Sequence, residues 1–191
     1  IGPSQAGAEA AALGFALALS AEWGGPIFWT GEEAAFAEDG APYAPGLAQF
    51  GLPLDQLIVV RAQKREDALW AVEQALAATG ATVICALGAR GKPLDLKASR
   101  RLLLFAERAH ARCLLLQPER GPSAAWTRWR VTPGESNAEG RELGPPAFCA
   151  ELTRNRTGAS GARFILDWNA HERRFFERTL VGDLSAAPVD G

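Results

Sequence analysis

The chain reads as an α/β domain with a mainly parallel β-sheet, helices on both faces, and an antiparallel C-terminal extension. Three observations carry this reading. Short apolar runs alternate with helix-length segments as far as Gln117. From Trp126 the pattern changes to alternation with period two, as in Trp126-Thr127-Arg128-Trp129-Arg130-Val131. Two later runs, 148–154 and 163–168, flank a polar Gly158-to-Gly161 turn and read as a hairpin. At 191 residues, 48% hydrophobic and 22% charged, the chain is large enough for one domain with a sizeable core.

Residues 8–22, rich in Ala and Leu, predict a helix apolar nearly all round and therefore buried between sheet and neighbours. Gly24-Gly25-Pro26 breaks it, and Ile27-Phe28-Trp29-Thr30 is a short buried strand. Residues 31–46 read as a loop with room for a helical turn, and 45–50 as a short helix. A strand over 56–60 leads to an amphipathic helix over 65–79, with Leu69, Trp70, Val72 and Leu76 inward and Gly80 as its stop. Residues 82–87 form a central strand, 99–110 a helix with Leu102, Leu103 and Phe105 inside, and 113–117 another strand. Residues 1–168 constitute the domain. Residues 169–191 read as a C-terminal tail whose Phe175, Phe176 and Leu180 stand among charges, either packed back on the domain or docked on a partner.

Charge is unevenly spread. Residues 1–60 hold seven acids (Glu9, Glu22, Glu32, Glu33, Glu38, Asp39 and Asp55) and no Lys or Arg. All 20 basic residues and the other 15 acids lie from residue 61 onward, although the net charge is −2. Cys85 and Cys113 fall in apolar runs and read as free core thiols rather than a disulfide framework. His110 and His171 have no metal-ligand spacing, so no metal is expected, and Ser4 and Ser99 lack the company of a hydrolase nucleophile. With no signal peptide or membrane-length apolar stretch, the cytoplasm is the simplest compartment and no membrane partner is expected. Ile1 in place of an initiator Met leaves room for a removed leading segment.

The opening carries the one recognisable motif. Gly2 and Gly7 have the spacing of a phosphate-binding loop, G-x-x-x-x-G-K-[ST], with an apolar helix directly behind. Ala8 replaces the lysine and Glu9 the Mg²⁺-binding hydroxyl. A carboxylate about 5 Å from a phosphate repels it by about 3 kcal/mol per unit charge at an effective dielectric near 20. The expectation is a nucleotide site that keeps its shape and has lost its cations, with Glu9 in the first helical turn supplying the anion that the helix dipole favours.

The order of elements resembles the RecA ATPase core from the degenerate loop to about Trp168. Blocks along the chain are similar, more closely, to the ImuA family of damage-induced mutagenesis. They are the Ile1-Gly2-Pro3-Ser4 opening, Leu69-Trp70-Ala71-Val72-Glu73, Leu94-Asp95-Leu96 with Ser99-Arg100-Arg101-Leu102, Thr127-Arg128-Trp129-Arg130-Val131, and Leu152-Thr153-Arg154-Asn155-Arg156. The resemblance implies a RecA-like accessory protein of error-prone translesion synthesis under SOS control. Its partners would be a polymerase-like ImuB-type protein and an error-prone DNA polymerase, with RecA, single-stranded DNA and a second copy of the chain as further ones. A cell-division inhibitor like SulA, binding FtsZ, is the alternative of another class; an ATPase completed by a neighbouring subunit is the third.

Against the RecA pattern, the strand 82–87 ends in Cys85-Ala86-Leu87-Gly88 with no Mg²⁺-holding acid. Glu32 matches the position of the water-activating glutamate, beside Glu33 in what otherwise reads as a solvated acidic pair. The expectation is no catalytic residue, no cofactor and no ATPase activity. Arg154 and Arg156 match RecA lysines that reach across a filament interface, so they are candidates for self-association as well as for a solvated strand end. Arg90, Lys92, Lys97 and Arg120, on or beside the two loops that line the DNA channel in RecA, are candidates for phosphate contact, with Trp126 or Trp129 as stacking surfaces; a solvated helix face is the plainer reading.

Overall fold

Apolar runs too short for a helix become four parallel strands. The computed structural model describes residues 4–87, 94–117, 122–136 and 144–178. Helix α1 (Ser4–Trp23) is followed by β1 (Ile27–Glu32), α2 (Glu33–Asp39), α3 (Ala44–Gln49) and a 3-10 turn (Leu54–Gln56). Then come β2 (Leu57–Ala62), α4 (Arg65–Ala75), β3 (Thr82–Ala86), α5 (Leu96–Ala109) and β4 (Arg112–Leu116). The parallel sheet has the order β2-β1-β3-β4, with Ile27 in register with both Leu57 and Thr82, and Thr82 with Arg112. Side chains of β3 alternate between its faces. Val83 and Cys85 pack with Val72 and Leu76 of α4 and Leu102 and Ala106 of α5. Ile84 packs on the other face with Ala16 and Leu17 of α1.

The chain then forms a second sheet from β5 (Thr127–Pro133), β6 (Ala147–Asn155), β7 (Arg163–Asn169) and β8 (Arg174–Glu177), antiparallel and in that order. Among the described residues it is not hydrogen-bonded to the parallel sheet, so the expected extension is a sheet of its own. Helix α1 lies between the two. Ala16 and Leu17 meet the parallel sheet, while Ala11, Phe15, Ala18 and Ala21 meet Val131, Phe148, Ala150 and Trp168 of the antiparallel one. This double burial is why the helix has no polar face.

Several expectations change. Residues after Trp168 do not begin a separate tail, because β8 pairs Phe175 with Trp168. Phe175 sits in the core with its ring centroid 5.2 Å from that of Phe15 and 5.0 Å from that of Trp168, so it is not a docking side chain. Phe176 points to the opposite face, 43% exposed under Arg174, and Leu180 lies outside the described residues. Trp70 faces outward at 63% exposure, since Ala68, Val72 and Ala75 already fill the inner stripe of α4. Helix α5 starts three residues earlier than expected, because the Asp95 carboxylate accepts the Ala98 amide at 2.6 Å as an N-cap. The segment 33–39, expected as loop with room for a helical turn, is helical. All three cysteines are free thiols, and burial pushes the Cys85 thiol far up and that of Cys113 to about 12.

The two halves are tied a second time beyond α3. The Trp168 indole donates to the Phe50 carbonyl at 2.8 Å, and the two rings stack at 5.8 Å. The next residue, Gly51, has φ +94°, and a Cβ there would lie 2.5 Å from the Ala170 carbonyl oxygen. Gly51→Ala is therefore expected to lower unfolding stability by about 1–3 kcal/mol, read as a lower urea midpoint. Gly80→Ala is the control: it shares the positive φ, +72°, but no atom lies within 4 Å of its Cβ position.

Candidate functional site

A phosphate loop binds its anion through backbone N–H groups left free by the turn. Here the helix begins at Ser4, so the described part of the motif, residues 4–9, is helical and not a loop. Gly7 is the fourth residue of α1, and a Cβ at that position would make an ordinary 3.5 Å contact with Pro133 at the end of β5. Within a helix, amides beyond the first turn are spent on carbonyls four residues back. The expected retention of the loop's shape is corrected for these residues; Gly2 lies outside the described residues. Glu9 is the sixth residue of α1 and exposed, so the expected first-turn pairing with the helix dipole is corrected too. Ala8 is half-buried.

At the carboxyl end of β1, Glu32 and Glu33 are not a solvated pair. Glu32 accepts from Arg65 Nη1 at 3.1 Å, with both side chains about one-fifth exposed. Glu33 takes a two-point contact from Arg61, whose Nε donates at 2.8 Å and whose Nη2 donates to the second oxygen. The guanidinium of Arg61 also lies 5.5 Å from the centre of the Phe36 ring. The first two arginines of the chain thus pair with Glu32 at the end of β1 and Glu33 at the start of α2. Such partly exposed pairs contribute about 0–1 kcal/mol each. Their chemical consequence is that both carboxylates already accept from a guanidinium within the chain.

Arg154 and Arg156, matched in sequence to an intersubunit position, are spent inside the chain. Arg154 Nη1 donates to the Ser123 carbonyl at 2.6 Å and Arg156 Nη1 to the Ala124 carbonyl at 3.1 Å. The Arg156 guanidinium covers the Trp126 ring at 5.2 Å, and its amide donates to the Trp126 carbonyl at 3.0 Å. Ser99 of α5 completes the arrangement: its hydroxyl accepts the Ala124 amide at 3.0 Å and donates to the Leu96 carbonyl at 3.1 Å. The Trp126 indole donates to Glu107 at 3.1 Å. Residues 123–126 therefore form a strap pinned to α5 on one side and to the end of β6 on the other. Beneath it, α5, β4 and the strap line an open hollow of about 490 Å³. Nothing in the sequence pattern marked Ser99 or Glu107 for this, because their partners lie 19 to 25 residues away in the chain.

The candidate phosphate contacts are not brought together by the described residues. Lys97 is exposed on α5, whereas Arg90, Lys92 and Arg120 lie outside the described residues. Trp126 and Trp129 are 47% and 39% exposed, but one face of Trp126 is already taken by Arg156. No group of three or more potential metal ligands occurs among the described residues. No helix among them is long and apolar enough to cross a membrane.

Neither a family model nor a curated protein matches the sequence. Among solved structures, the crystal structure of the RadB recombinase is similar, with a TM-score of 0.55 and 13% identity over 87% of this chain and 85% of that one. Together with the helix-flanked parallel sheet and the separate antiparallel sheet, this likeness makes the fold an α/β, RecA-like core.

The strap yields a prediction of its own. Arg154→Ala and Arg156→Ala should each lower unfolding stability by about 1 kcal/mol through loss of a charged donor to a strap carbonyl, read from urea unfolding. Stability equal to that of the unsubstituted chain, with a change confined to sedimentation, would return both arginines to an intersubunit role.

Proposed function

We propose that this chain is a non-catalytic, RecA-like accessory protein of error-prone translesion DNA synthesis in the SOS response. In this reading it assembles with a polymerase-like ImuB-type protein and an error-prone DNA polymerase in the cytoplasm. RecA, single-stranded DNA and a second copy of the chain are further partners of the same reading. The fold is shared with a recombinase, RadB, and the specific assignment is supported by the five ordered sequence blocks quoted above.

The observation that carries the non-catalytic part is the helix over residues 4–9. A phosphate cradle needs free amides, a lysine and a hydroxyl; this segment presents helical backbone with Ala8 and Glu9 in place of those side chains. The carboxyl end of β3 supports it, since Ala86 and Leu87 supply no Mg²⁺-holding acid. Glu32 faces Arg65, which leaves the remaining catalytic candidate without a free role. With chemistry set aside, the work falls to surfaces that recognise other macromolecules.

Calorimetric titration with Mg-ATP should show no saturable binding up to millimolar nucleotide, and phosphate release should match a protein-free blank. Micromolar affinity that depends on Mg²⁺, with turnover abolished by Glu32→Gln, would overturn the non-catalytic reading. Affinity capture with a purified ImuB-type protein should retain the chain, and capture with FtsZ should not; the reverse result would replace the assignment with a SulA-like one.

A further inference from the structure

The parallel sheet ends on one side at β2, and this edge is unlike the other three. Strand β5 carries Arg128, Arg130 and Pro133, β8 carries Arg174 and Glu177, and β4 opens with Arg112. Charges and prolines of this kind keep a free strand edge from pairing with another chain. The run Leu57-Ile58-Val59-Val60 has neither. Arg61, the one charged residue of β2, is drawn off to Glu33 of α2 by its two-point contact. Ile58 and Val59 are neighbours in sequence and so point to opposite faces, and they are 50% and 36% exposed. Among the described residues the edge is thus open on both faces.

Helix α4 extends the open surface. Its Trp70 is 63% exposed, and with Phe28, Val60 and Gln74 it borders a hollow of about 270 Å³ beside the strand. Ile58 shares the face of Val60 and therefore the side on which Trp70 stands. Charges of opposite sign bracket the apolar run, with Asp55 two residues before β2 and Lys64 two residues after it, both exposed. Neither side chain has a partner among the described residues.

We propose that β2 is a self-association edge, where β2 of a second copy pairs antiparallel about a two-fold axis through Val59. Such an axis sets each residue opposite the one equally far beyond Val59 in the other copy. Ile58 then meets Val60 of the second copy, twice, and each Ile58 enters the hollow beside the other copy's Trp70. Asp55 comes beside Lys64 of the second copy, again twice. An axis through Ile58 would set Val60 against Gln56, and one through Val60 would set Val59 against Arg61. A second copy suits the edge because one short run supplies both halves of the apolar match and of the charge match. A pairing of this length, with Trp70 at its margin, buries on the order of 1,000 Å² in total, the size of a weak, reversible dimer. The inference deepens the functional reading by giving its second copy a surface, and it stands apart from the polymerase partners.

Sedimentation equilibrium of the full chain tests it. A reversible monomer–dimer equilibrium is expected, with a dissociation constant of about 10–100 μM. Val59→Lys sets like charges opposite each other on the axis and should weaken the dimer about tenfold or more. Asp55→Lys should weaken it about threefold, less so at high salt. Adding Lys64→Asp to that variant should restore the dimer, since the exchanged charges still face each other. Circular dichroism confirms that each variant is folded. A monomer up to about 1 mM overturns the proposal. So do assemblies larger than two, an unchanged dimer with Val59→Lys, or a double exchange that fails to restore association. Capture by an ImuB-type protein reads the functional assignment separately, whatever the sedimentation shows.

Discussion

Burial of α1 on two sides at once is the constraint on which the rest of this structure depends. A helix with no polar stripe cannot lie on a surface, so each sheet must present an apolar face to it. The parallel sheet does so with Ile27, Trp29 and Ile84, and the antiparallel sheet with Val131, Phe148, Ala150 and Trp168. Small residues make this close approach feasible: Ala18 is fully buried, and Gly14 would bring a Cβ within 3.3 Å of the Phe148 ring. Phe15, in the middle of the helix, meets Phe175 of β8 from the other end of the chain.

The same burial bears on the amino end of α1. The helix runs back to Ser4, so the amides of Ala8 and Glu9, beyond its first turn, are spent on carbonyls four residues back. The polar chemistry of the molecule lies elsewhere, in pairs such as Glu32–Arg65 and in the strap held by Arg154 and Arg156. These groups are satisfied within the chain.

The elements were legible where local chemistry decides them. Periodicity placed β1, β3, α4 and the β6–β7 hairpin to within a few residues, because an apolar run or a helical stripe is readable without its partners. Trp70 was misplaced since the inner stripe of α4 is set by which residues reach β1 and β3, and those reach it from outside the window. Phe175 was readable either as packed back on the domain or as docked on a partner; its burial requires Phe15, Phe148 and Trp168, brought in from three other elements. Of the candidate site, Glu32 at a strand end was readable, but its cation was not, because Arg65 follows 33 residues later. Arg154 and Arg156 were read as a self-association surface or a solvated strand end; their carbonyl partners in the strap left no trace in the sequence.

The Glu32–Arg65 and Glu33–Arg61 pairs are also long-range staples. The stretch 1–60 holds seven acids and no Lys or Arg, so both glutamates find their counter-charge only in later elements. Arg61 comes from β2, paired in parallel with β1, and Arg65 from the first turn of α4, so one crossover supplies both contacts at the same sheet end.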